Sequence, residues 1–149
     1  MAHASATGYD AGGQRYQNAG LPTAASDAVP QGYIAYDLGN IGSSGKPDAG
    51  VMWVDFVAVR KFSFAANFGG SLGIASVAAN ADATFSVTRN GTQIGTIKFA
   101  AGSTSAVFAS TSGAAITIAV GDRLQVTTPA TQDANLSGVT LTLAALRAL

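Results

Sequence analysis

Residues 84–99 read TFSVTRNGTQIGTIKF, two β-type runs on either side of Asn90-Gly91. In the first run Phe85 and Val87 alternate with Ser86 and Thr88. That period of two gives a strand one apolar and one polar face. Asn-Gly between such runs marks a two-residue hairpin, because a type I′ turn needs positive φ at both central positions. The stretch therefore predicts an antiparallel hairpin with strands over 84–89 and 92–99.

Working outward, further β-rich runs stand at 51–64, 72–77, 105–109, 115–120, 123–128 and 138–146, separated by turn pairs such as Ser112-Gly113 and Gly121-Asp122. In 138–146, Val139, Leu141 and Leu143 share one face against Thr140 and Thr142 on the other. In 51–64 both faces are largely apolar, which predicts a central strand covered on two sides. Seven or eight strands within roughly 100 residues predict an all-β fold, an antiparallel β-sandwich of jelly-roll or Ig-like type. Asn90, Gly91, Gly121 and Asp122 are its predicted structural turns.

The first 50 residues differ in kind. All four tyrosines (Tyr9, Tyr16, Tyr33 and Tyr36) lie there, together with Pro22, Pro30, Pro47 and half of the glycines, whereas all seven phenylalanines come later. No period of 2 or 3.6 is sustained there. Residues 1–50 therefore read as an extended N-terminal arm and lead-in, and 51–149 as the sandwich domain. Tyrosine has an apolar ring and a polar tip, which suits contacts between subunits, so the four tyrosines are the candidate interface. The arm carries net charge −2, four Asp against Arg15 and Lys46, and the remainder balances it with +2.

Composition excludes more than it assigns. Charged residues make up 11% of 149 residues, against about 25% in ordinary domains. Net charge is zero, so nothing attracts a phosphate backbone or anionic lipid, and no nucleic acid partner is expected. All eight acidic residues are Asp. Without Glu, a strong helix former and the usual capping-box partner are missing. No Cys is present for a disulfide, a thiolate nucleophile or a zinc ligand. No apolar run reaches 18 residues, and the N-terminus has no basic region followed by an apolar stretch. Neither membrane insertion nor a secretory leader is therefore expected.

Several short motifs look catalytic and fail on their surroundings. Gly69-Gly70-Ser71-Leu72-Gly73 matches the G-x-S-x-G nucleophile elbow, but the sole histidine, His3, lies upstream of the serine instead of after it. GNIGSSGK at 39–46 has Asn40 where a phosphate loop needs Gly, and Pro47 where it needs a hydroxyl. Ser43-x-x-Lys46 lacks the other elements of the penicillin-recognising enzymes. Asp133, Asn135, Ser137 and Gly138 imitate half of a calcium loop, with Ala144 at the position that requires Glu. Trp53 sits inside a β-rich run and reads as core before it reads as a sugar platform. Asn90-Gly91-Thr92 and Asn135-Leu136-Ser137 fit the glycosylation pattern but read as turns. No catalytic, metal-ligating or cofactor-binding residue is assigned, and no cofactor is expected.

Residues 90–96 (NGTQIGT) and 99–103 (FAAGS) are followed by Gly121-Asp122-Arg123-Leu124, Pro129, Asp133, Leu136, Val139 and Leu141-x-Leu143 with Arg147. In order and spacing this series resembles a β-sandwich module of structural proteins of tailed bacteriophages, found in tail or fibre accessory and head decoration proteins. The resemblance implies a non-enzymatic virion subunit, assembled in the host cytoplasm, that works by oligomerisation and docking on other virion proteins. A homotrimer is its first expectation. The alternative is a carbohydrate-binding module that recognises a host cell-surface glycan.

Overall fold

The computed structural model describes residues 33–148; the side chains of Tyr33, Ile34, Asn40 and Ala148 are not described. The chain forms twelve strands: β1 (Tyr33–Ala35), β2 (Leu38–Ser43), β3 (Met52–Val57), β4 (Phe62–Phe64), β5 (Leu72–Ile74), β6 (Ala83–Arg89), β7 (Thr92–Phe99), β8 (Ala106–Ser110), β9 (Ile116–Ile118), β10 (Arg123–Thr127), β11 (Val139–Leu143) and β12 (Ala145–Ala148). A single 3₁₀ turn, Ala66–Phe68, is the only helical element among the described residues. No helix there is long and apolar enough to cross a membrane.

Every strand pair is antiparallel. One sheet has the order β3-β10-β6-β7-β8. The others run β2-β11-β5 and β1-β12-β4-β9, and they continue into each other because two residues separate β1 from β2 and Ala144 alone separates β11 from β12. The fold is an all-β sandwich, as the periodicity predicts. Phe85, Val87, Ile97, Phe99, Leu124 and Val126 of the five-stranded sheet, with Phe62, Phe64, Ile118, Val139, Leu141 and Leu143 of the other two, make a core at most 1% exposed. Their rings touch in series: Tyr36 to Phe62 at 5.2 Å, Phe62 to Phe64 at 5.5 Å and Phe64 to Phe68 at 5.0 Å. Trp53, Phe85 and Phe99 form a second series at 5.2 and 6.0 Å. Such tilted pairs add to area burial because the edge of one ring meets the face of another.

The β6–β7 hairpin has the predicted turn. Asn90 and Gly91 have φ of 50° and 80°. Past the turn a bulge leaves Ile94 unpaired, since Thr88 faces Gln93 while Val87 faces Gly95. The extra residue turns Ile94 inward, to 8% exposure.

Three expectations need correction. Residues 51–64 are not one central strand: β3 is an edge of the five-stranded sheet, and β4 lies in a different sheet. A crossover at Ala58 joins them, anchored by hydrogen bonds from Ala58 N–H to the Asp122 carbonyl and from Gly121 N–H to the Ala58 carbonyl. The doubly apolar pattern has two causes. Phe62 and Phe64 bury in the second sheet, and a bulge between β3 and β10 leaves Trp53 unpaired, with its ring against Phe85. Residues 138–146 are likewise two strands, interrupted at Ala144, whose N–H donates to Ser71 Oγ at 2.9 Å. Finally, the folded body begins before residue 51, because β1 pairs with β12 and β2 with β11. Residues 1–32 of the expected arm, with Tyr9 and Tyr16, lie outside the described residues.

Candidate interaction surface

The outer face of β5 is the most exposed apolar part of the sandwich. Leu72 is 72% exposed and Ile74 63%, while Gly73 between them packs against Ala106, Leu141 and Phe108. Register places Thr142 opposite Leu72 and Thr140 opposite Ile74, so the two apolar side chains stand beside a row of threonines. Val107, Val120, Val59 and Val57 are also more than half exposed. Isolated exposed apolar residues are ordinary, but two adjacent ones on a strand face next to a short polar row form a surface that favours burial.

A second feature lies where the end strands β2 and β3 of two sheets come together. They enclose a groove of about 670 Å³ lined by Leu38, Ile41, Trp53 and Phe56, with Asp37 and Asp55 also on its wall. Asp55 is paired: Arg123 Nε donates to its Oδ1 at 2.6 Å, and Arg123 Nη2 bonds Oδ2. The hydrogen bond from Arg123 holds the Asp55 carboxyl below its ordinary value.

The predicted turns meet one another. Asn90 Nδ2 donates to Asp122 Oδ1 at 2.7 Å, Arg123 N–H donates to Asn90 Oδ1 at 2.8 Å, and Asn90 N–H donates to the Arg123 carbonyl at 2.8 Å. Asp122 Oδ2 accepts the Ala119 N–H at 2.8 Å. That backbone donor first, and Asn90 second, keep the Asp122 carboxyl low. Gly121, at φ 89°, closes the same turn. The β6–β7 and β9–β10 turns are thus clasped by their own side chains.

Asp133 shows what the apparent calcium loop is for. Its two oxygens accept N–H groups from Asn80, Ala81, Asn135 and Leu136 at 2.7–3.1 Å. Partial burial works against the charge, yet four backbone donors outweigh it and hold the carboxyl far below the ordinary range. Among the described residues no three His, Cys, Asp or Glu converge as metal ligands. Asp82 ties another loop in the same way, accepting Ala101 N–H and Lys98 Nζ at 3.0 Å each. In the apparent nucleophile elbow, Ser71 Oγ accepts the Ala144 amide. In the apparent phosphate loop, Lys46 Nζ bonds the Ala134 carbonyl.

Of the candidate interface tyrosines, Tyr36 is half-buried with its ring on Phe62, so its own sheet already takes up much of that ring. Tyr33 stands in β1 opposite Ala148. Sequence reasoning missed Leu72 and Ile74, because the short run at 72–77 does not reveal which face meets the core. It also missed the Asn67–Phe68 kink, where two non-glycine residues have φ of 52° and 53°. Ser110 holds this kink: its N–H donates to Asn67 Oδ1 at 3.2 Å and its Oγ accepts the Asn67 N–H at 3.3 Å. Phe68 is driven to 1% exposure over Gly95. Comparison with protein-family models, curated proteins and solved structures finds no match to this chain.

Proposed function

We propose that the chain is a non-enzymatic structural or attachment subunit of a tailed phage particle, acting by oligomerisation and by docking on other virion proteins. One observation carries this reading: the strongly exposed Leu72–Ile74 face on a chain with very few charged residues. Apolar strand surface of this kind is stabilised by burial against another protein. The use of Asp82, Asp122 and Asp133 as loop ties supports the same reading, because their carboxylates hold backbone. Sedimentation of the purified chain should show an assembly, with a trimer first, and labelled protein should decorate the parent particle. A strictly monomeric chain at micromolar concentration that leaves particles bare defeats the proposal.

A second reading, a carbohydrate-binding module, draws on the β2–β3 groove, whose lining includes Trp53, Phe56, Asp37 and Asp55. Aromatic rings with nearby acceptors suit a sugar's C–H face and hydroxyls. A glycan array separates the two: retention of a glycan that Trp53→Ala abolishes favours the module.

A further inference from the structure

The Asn90-Gly91 turn has a consequence independent of assembly. Asn-Gly is the dipeptide in which a backbone nitrogen most readily attacks the preceding side chain, because Gly has no Cβ to obstruct the approach. The Gly91 nitrogen loses its proton and bonds to Asn90 Cγ. The Cγ–Nδ2 bond breaks, and the amide group leaves as ammonia with the lost proton. Water then opens the cyclic imide, leaving a carboxylate on an aspartyl or isoaspartyl residue.

In this fold the reaction is obstructed at both ends of the Asn90 amide. Nδ2 is held by the Asp122 carboxylate at 2.7 Å and Oδ1 by the Arg123 N–H at 2.8 Å. The Asn90 backbone N–H is also bonded, to the Arg123 carbonyl. Cγ can swing onto the Gly91 nitrogen only after the clasp between the turns opens. The product cannot re-form that clasp. A donor facing Asp122 becomes a second carboxylate, and like charges at hydrogen-bond distance repel. Of the nearby cations, Arg123 is engaged with Asp55, and Arg89 donates to the Thr117 carbonyl at 2.8 Å.

We infer that Asn90-Gly91 is a latent deamidation site, kept closed by Asp122 and the Arg123 amide, whose modification irreversibly unclasps the β6–β7 and β9–β10 turns. The test is peptide mass mapping of the full chain kept at mildly alkaline pH. Asp122→Ala removes a charge-assisted hydrogen bond, so deamidation at Asn90 should speed up about tenfold or more relative to wild type. Asp133→Asn, which loosens a different pair of loops, controls for global opening and should leave the Asn90 rate near wild type. An Asp122→Ala rate equal to or slower than wild type overturns the inference, as does equal acceleration in both variants. Asn90→Asp supplies an independent reading. It should melt below wild type at pH 7, and the gap should narrow in acid, where one carboxyl of the facing pair takes up a proton. An unchanged melting temperature at pH 7 also overturns it.

Discussion

Five phenylalanine rings lie at most 1% exposed between the sheets, while Asp82, Asp122 and Asp133 sit at the surface and hold loops by their backbone amides. The interior gains its stability from area and close packing, which do not depend on protonation. The loops gain theirs from ionised carboxylates accepting N–H groups, which does. A chain without Cys or Glu thus divides the work: hydrophobic burial holds the sheets together, and short Asp side chains fix the connections between strands.

The largest effect should come from the interior. Phe85→Ala removes a ring packed between Trp53 and Phe99 and should cost about 3–5 kcal/mol in denaturant unfolding, equally at pH 7 and pH 4.5. A strong pH dependence of that loss would break the division between interior and loops.

Next is the contact between the strained turn and the sheet. A Cβ on Gly95 would overlap the Phe68 ring and lie 2.6 Å from the Ala109 carbonyl oxygen. Gly95→Ala should therefore cost about 1–3 kcal/mol by overpacking. Combining it with Phe68→Leu should give less than the sum of the single losses, because the two changes share one contact. Strict additivity in that cycle would show that the Ala109 backbone, and not the ring, sets the limit.

The third effect belongs to the loops and carries a sign. Asp133 has its carboxyl lowered in the folded state, so its contribution is present above the ordinary carboxylate value of 3.8 and is lost as pH falls through the lower folded value. Asp133→Asn should melt below wild type at pH 7, and the gap should narrow as the solution is acidified below 3.8. Melting curves from pH 7 to pH 2 check this. A constant gap would mean that the N–H groups find other acceptors when the carboxylate is absent.

The smallest effect on stability should come from the exposed face. Leu72→Ser should shift unfolding by no more than about 0.5 kcal/mol, as ordinary surface changes do, while weakening self-association in sedimentation. A large loss of stability instead would place Leu72 in the folded core's economy and not in an interface.

The hairpin was readable because its cause is local: Asn90 and Gly91 accept positive φ, and the flanking alternation of Phe85 and Val87 with Ser86 and Thr88 is a strand's own period. The interior place of phenylalanine was readable too, since five of seven are buried. The bulges at Trp53 and Ile94 were not, because a bulge is a relation between two strands and leaves no mark in the period of one. The clasp between Asn90 and Asp122 was half readable. Each residue declares a turn, but 32 positions separate them.

What the amino-acid order determined by itself was the class of structure: apolar alternation, turn pairs and the lack of Glu admit short strands and few helices. Tertiary structure alone decided that residues 33–43 join the sheets, that residues 51–64 divide between two of them at Ala58, and that Leu72 and Ile74 face outward. The physical reason is that strand character depends on neighbours two residues apart, whereas sheet membership and outward orientation depend on which distant strand supplies the hydrogen bonds and which face the core already fills.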